Sequence, residues 1–326
     1  MSGSADKAGK KYILPVAVIV ILLVVGVVAG VYLTRGPPTT SSTSSSDTGS
    51  NTLIHVVAGE NFWGSLVSQL GGIHVNVTSV VSDPNADPHA YSSNPANAEA
   101  VSNAKFVIVN GAGYDTWALN LIAAANTPNQ FVLNVQELLN QSLDANPHFW
   151  YSPYYVNYTV AAMYKDLAKI DPTDKPYFTQ QYASLNSSLW TSYMKQETVI
   201  KQQFGGSPVA ATEDIFVYMA NATGLNVVSP PGFMKAVAEG NDPSAQDVAA
   251  MQTLIMGGNS TVRVLAYNEQ TVTPLTQGIK QLATQNQIPI IGVTETIQPP
   301  NYTFQAWMQG EVAALQNALN AAALGK

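Results

Sequence analysis

The sequence predicts an α/β protein of two small lobes, each with a parallel sheet, joined by one long helix and preceded by an N-terminal transmembrane helix. Three observations carry this. Short β-like runs alternate with amphipathic helical patterns on both sides of the middle of the chain, which is the signature of βαβ units. Between the two series lies one helical pattern of about 30 residues, roughly 45 Å long. Ahead of everything stands an apolar run that carries no charge.

That run, Tyr12–Leu33, has about 22 residues and would span roughly 33 Å as a helix, enough to cross a bilayer core. Lys7, Lys10 and Lys11 precede it and only Arg35 follows closely. This bias predicts residues 1–11 in the cytoplasm, 12–33 as a single-pass anchor, and the remainder on the extracytoplasmic side of the cell membrane. A cleaved signal is the competing reading, but the run is long for a signal and no clear small-x-small cleavage site follows it. Residues 34–52, rich in Ser, Thr and Pro, read as a flexible stalk. Sequons at Asn76, Asn140, Asn157, Asn186, Asn221, Asn259 and Asn301 are compatible with an outside surface.

In residues 53–170 the strand-like runs are Leu53–Ala58, Val75–Val81, Lys105–Asn110 and Gln130–Asn134, with helices through Phe62, Leu66 and Leu70 and around Trp117–Ala125. Residues 171–206 form the linking helix. Phe178, Tyr182, Leu185, Leu189, Tyr193, Ile200 and Phe204 recur mostly at three- and four-residue spacing, with one gap at Gln196–Glu197, and Gly205-Gly206 ends the pattern. In residues 207–326 the strands are Pro208–Thr212, Leu225–Ser229, Val262–Tyr267 and Ile288–Val293. Helices fit Asp214–Thr223, Ser244–Met256, Thr271–Gln285 and Thr303–Ala323.

Composition narrows the chemistry. Apolar residues make up 46% of the 326-residue chain and charged ones 11%, and the formal net charge is −7. An acidic chain with no basic cluster beyond its first residues is unsuited to nucleic acid. Cysteine is absent, which excludes disulfides, thiolate metal sites, iron–sulfur clusters and a thiol nucleophile. Any metal site must therefore use His, Asp and Glu.

There are four histidines: His55, His74, His89 and His148. His55 lies inside the first strand and His74 follows a Gly-Gly turn, so both read as structural. His89, in Asp87-Pro88-His89-Ala90-Tyr91, and His148, in Asn146-Pro147-His148-Phe149-Trp150, sit in polar loops beside a proline. Proline fixes its own φ and stiffens the loop, and neutral imidazole is the commonest protein ligand of transition metals. Either histidine alone could be an ordinary loop residue; two such loops near strand ends in one lobe favour a common ligand.

From Leu53 onward the chain resembles the metal-binding (TroA-like, cluster A-I) solute-binding proteins of ABC transporters. The resemblance rests on the two proline–histidine segments in this order and on Val101–Trp117 between them. It implies two α/β lobes on one long helix with a metal ion between them. It also implies a ligand set of His89, His148, Glu213 in Ala211-Thr212-Glu213-Asp214, and Glu295 after the last strand. The last position more often carries Asp in that family, and Glu269 competes with Glu295 for the role. Glu213 and Asp214 could alternatively serve a helix N-terminus, and Tyr91, Trp150 and Tyr218 read as packing residues.

Two imidazoles and two carboxylates carry a charge of −2, so a divalent ion makes the site formally neutral and limits the cost of burial. Such ligands suit one divalent transition-metal ion as cargo. Mn²⁺ or Fe²⁺ is slightly favoured over Zn²⁺, because the carboxylates are hard and the long His- and acid-rich loop that the resemblance leads one to expect of a zinc importer is absent. The implied partners are an ABC permease and its cytoplasmic ATPase, with the chain acting as a monomer. A metal hydrolase is the enzyme alternative, but HExxH, GxSxG, Walker and GxGxxG motifs are all absent, so no enzyme activity is expected. A stalked surface adhesin is the other alternative, and it would require no metal.

Overall fold

In the computed structural model, residues 53–84 and 88–324 are described; the apolar run Tyr12–Leu33, the stalk and Asp87 lie outside the described residues. Among the described residues, no helix is long and apolar enough to cross a membrane.

The first sheet is built from β1 (Ile54–Glu60), β2 (Val75–Val81), β3 (Phe106–Val109) and β4 (Phe131–Asn134), all parallel in the order β2-β1-β3-β4. β3 is buried at every position, as expected of a strand covered on both faces. The crossovers are α1 (Asn61–Gly71), α2 (Pro95–Asn103) and α3 (Thr116–Ala125). The second sheet comprises β5 (Pro208–Ala211), β6 (Asn226–Val227), β7 (Leu265–Asn268) and β8 (Ile290–Val293), again parallel and in the matching order β6-β5-β7-β8. In each sheet the order reverses direction beside the first strand. A crevice opens at such a switch point, outside the carboxyl ends of the strands.

A continuous helical stretch runs from Lys175 to Phe204: α4 (Lys175–Leu189), a π-helical turn at Trp190–Met194, and α5 (Lys195–Phe204). Stepping by seven from Phe178 and Leu185 would put the next buried positions at 192 and 199. The buried residues are instead Tyr193 and Ile200, one place later, as a single extra residue in a π turn requires. This shift accounts for the break in the sequence pattern at Gln196–Glu197 and brings Glu197 to the buried side.

Two helices stand out among those beyond the sequence-predicted set. One is α6 (Pro153–Ile170), capped by the Ser152 side chain and packed through Val156, Val160, Met163 and Leu167. The other is α7 (Pro231–Ala238). The strand expected at Leu225–Ser229 shrinks to the two residues of β6. The last helix, α8 (Phe304–Leu324), packs on β8 and on the π turn. It is also joined to the first lobe, where the Phe304 amide donates to Ser65 Oγ at 3.0 Å and Gln305 bonds Gln69. The largest apolar cluster accordingly runs through both lobes, from Val56 to Val293 and Trp307.

Candidate metal centre

The candidate ligands come from segments that follow strand ends. His89 lies in a 3-10 turn, Pro88–Ala90, after β2. The next helix, α2, fixes this loop: Asn94 Oδ1 accepts from the Asn97 amide, Asn97 Oδ1 accepts from the Asn94 amide, and Tyr91 donates to Asn97 Oδ1 at 2.8 Å. Such a reciprocal cap fixes both the helix start and the entry of the chain.

His148 is fully buried, and its loop is held from several sides. Asn110 Nδ2 donates to the Pro147 carbonyl at 2.9 Å, and Trp63 Nε1 donates to Asn110 Oδ1 at 3.1 Å. Asn146 Nδ2 donates to the Asp214 carbonyl, and Tyr218 donates to the Asn146 carbonyl, so both lobes grip this loop. Asn146 Oδ1 accepts from the His148 amide at 3.0 Å and lies 2.8 Å from His148 Nδ1. With Nδ1–H directed at Asn146, the other nitrogen of a neutral ring presents its lone pair to the cleft.

Glu295, two residues past β8, is the hub. Its carboxylate lies 3.3 Å from His148 Nε2 and 3.8 Å from His89 Nε2. Tyr114 donates to its Oε2 at 2.9 Å and Asn268 Nδ2 to its Oε1 at 2.7 Å. One ligand atom each from His89, His148 and Glu295 lie within 4.8 Å of one another, close enough to share one ion. Burial works against a charged Glu295, but His148 and His89 hold its carboxyl below the usual range. Burial likewise opposes a charged His148, yet Glu295 and Asp214, whose Oδ1 is 3.2 Å from Nδ1, raise it to about 10. Without a cation the imidazolium and carboxylate thus neutralise each other.

Glu213, two residues past β5, stands outside that close group of three. It is fully buried and neither oxygen has a hydrogen-bond partner. Burial and the Glu295 charge push its carboxyl well above the usual range, while His148 and Asn268 pull the other way. A buried carboxyl left this way is costly, and a divalent ion beside Glu295 would relieve it. The donor set of imidazole nitrogen and carboxylate oxygen fits such an ion. Glu269 is turned elsewhere, toward Gly292 and a cavity bordered by Tyr302 and Trp307. Asn268 fills the place beside Glu295.

Tyr114 and Asn146 were not singled out by sequence reasoning. Tyr114 is delivered by a turn in which Gly111, Ala112 and Gly113 all have positive φ, and Asp115 accepts from the amides of Asn110 and Gly111. The other two histidines are structural in placement: His55 is exposed on β1, and His74 Nδ1 lies 2.6 Å from Asp174. A cavity of about 260 Å³ leads from solvent to His89, bordered by Asp144, Asp214, Lys235 and Glu239.

Comparison with known proteins bears on the fold and the family. The chain is 23% identical over 184 residues to the zinc-binding protein TroA of Treponema pallidum, covering 53% of this chain and 57% of that one. It is 25% identical over 183 residues to the manganese-binding lipoprotein MntA of Halalkalibacterium halodurans, covering 54% and 59%. These matches therefore span little more than half the length of either relative. Among solved structures, a manganese-bound periplasmic metal-binding protein from Candidatus Liberibacter asiaticus superimposes with a TM-score of 0.65 at 17% identity, covering 81% of this chain and 98% of that one. The crystal structure of ZnuA gives 0.64 at 19% identity, covering 82% and 98%. The family model described as ZnuA, the periplasmic component A of the zinc-uptake complex, matches residues 56–318, so by fold and by sequence the chain belongs to that family.

Proposed function

We propose that the chain captures one divalent transition-metal ion between its lobes and delivers it, without catalysis, to an ABC permease and its cytoplasmic ATPase. The observation that carries this reading is the convergence of His89, His148 and Glu295 from separate segments of the chain, their ligand atoms within 4.8 Å of one another. Glu213 completes the set, its unsatisfied oxygens becoming ligands once a cation neutralises Glu295. Asn146 orients His148, and Tyr114 and Asn268 orient Glu295. Such outer partners fix ligand geometry and tune affinity. The names of TroA and MntA point to Zn²⁺ or Mn²⁺ as cargo, and the paired carboxylates also admit Fe²⁺. Tyr12–Leu33 anchors the protein as a single-pass chain, and the stalk lets the loaded lobes reach the permease as a monomer.

The test is native mass spectrometry of the full chain in maltoside micelles, with Zn²⁺, Mn²⁺ and Fe²⁺ added in turn and a thermal shift recorded for each. One equivalent of at least one ion, with a raised melting temperature, is the expected result. A His89→Ala, His148→Ala double variant should lose both. Retention of one equivalent by that variant would sink this ligand set.

A further inference from the structure

A second cavity, larger than the metal cleft, opens where the long helix passes between the lobes. It is an open groove of about 590 Å³, bordered by Tyr154 and Tyr155 of α6, Trp190 and Met194 of the π turn, Glu197 of α5, and Tyr218 in the short helix Val217–Ala222. Its walls are aromatic. Tyr155 and Tyr218 meet edge-on at 5.4 Å, Tyr154 and Tyr155 lie 5.7 Å apart, and Tyr154 and Trp190 are 70% and 52% exposed. One acidic residue, Glu197, borders the groove; it is only 3% exposed, its carboxyl oxygens are buried, and neither has a hydrogen-bond partner.

Among the described residues, no Lys or Arg lines the cavity. Near Glu197 stands Tyr193, whose hydroxyl is also buried without a partner. A buried carboxyl group unsupported by the protein is costly. Nothing in the metal centre accounts for it, because its helix supplies no candidate ligand. The aromatic faces present negative quadrupole density, which attracts cations with diffuse charge more than it attracts strongly hydrated ions.

We propose that this groove is a second ligand site, taking a small organic ammonium ion with Glu197 as counter-charge and Tyr154, Tyr155, Trp190 and Tyr218 as walls. Before binding, Glu197 holds its proton, since burial raises its carboxyl to about 9. On binding, the carboxyl O–H breaks, its proton passes to solvent, and the carboxylate pairs with the ammonium. Charge in the groove is balanced throughout. Tyr218 also donates to the Asn146 carbonyl, so one wall of this site touches the loop that carries His148.

The experiment is isothermal titration of choline into the metal-loaded full chain in maltoside micelles, near neutral pH. Parallel runs use buffers of different ionisation enthalpy. The neutral isostere 3,3-dimethyl-1-butanol serves as control. Saturable choline binding, about one proton released per ion bound, and no binding of the isostere are expected. Glu197→Gln should weaken choline at least tenfold while still taking one metal equivalent. Tyr154→Ala, an exposed position that does not endanger folding, should weaken it severalfold. The proposal is overturned by no saturable choline binding, by equal binding of the alcohol, or by choline binding unchanged in both variants.

Discussion

Glu213 separates a ligand from a structural acid by the sign of its substitution. In the metal-free protein its carboxyl is buried, unsatisfied and crowded by the charge on Glu295. Glu213→Gln removes that conflict and should stabilise the metal-free protein by about 1–3 kcal/mol. The same change should weaken metal binding by about tenfold or more, at least 1.4 kcal/mol. Thermal melts with and without metal check both halves; a variant destabilised in both states would assign Glu213 to the scaffold. Tyr114→Phe is a milder case. It deletes one donor to Glu295 while Asn268 keeps the other, so metal affinity should fall about 10–100-fold with little change in metal-free stability. Competition titration against a chromogenic chelator reads this directly. At this scale the sequence was partly legible. His89, His148 and Glu295 do come together; the proline-flanked histidines are a local signal, whereas Glu295 is implied only by the family resemblance. Tyr114 and Asn146 were not visible, because their roles depend on partners that only the folded chain brings near. Tyr114 reaches Glu295 across 181 positions.

At the scale of the element, α2 does more than close a βαβ unit. Asn97 accepts from the Asn94 amide, completing the cap, and from Tyr91, at the exit of the His89 loop. Asn97→Ala should therefore cost about 1 kcal/mol of stability, as loss of a cap does, and should also slow metal capture or lower affinity by loosening His89. Exchange protection of the amides in residues 88–97, compared with metal affinity, tests the link; lost protection with unchanged affinity would show that the loop holds His89 without its cap. Strands and long helices were legible from period. The helix α6 was not, although Ser152-Pro153 and the 4-3-4 spacing of Val156, Val160, Met163 and Leu167 are helical signals. They lie directly behind the His148 motif, in a stretch with no strand to bracket them. The π turn was legible only as a gap, because a one-residue insertion does not alter composition.

For the whole molecule, the buried acids predict an alkaline weakness. Burial raises Glu197 to about 9, Glu311 to about 8 and Asp115 to about 6. In the unfolded chain these groups lose their protons near pH 4. Between those values the folded state holds more protons, so stability falls as pH rises, by about 1.4 kcal/mol per pH unit for each such group. His148 adds to the trend, since its folded value of about 10 also exceeds its unfolded one. Metal-free melting temperature should therefore decline from about pH 5 to pH 9, and Glu197→Gln should flatten the profile. A profile that stays flat across this range would mean that these acids are solvated and ionised.

The matching strand order of the two sheets has a consequence for biogenesis. On the proposed ligand set, each half would contribute two donors from segments beyond its strand ends, and His89, His148, Glu213 and Glu295 emerge in that order as synthesis proceeds. Neither half alone would then own enough donors to retain an ion. A truncated or nascent product would release whatever it touched, and secure possession of the cargo would begin only after the final strand has been laid down.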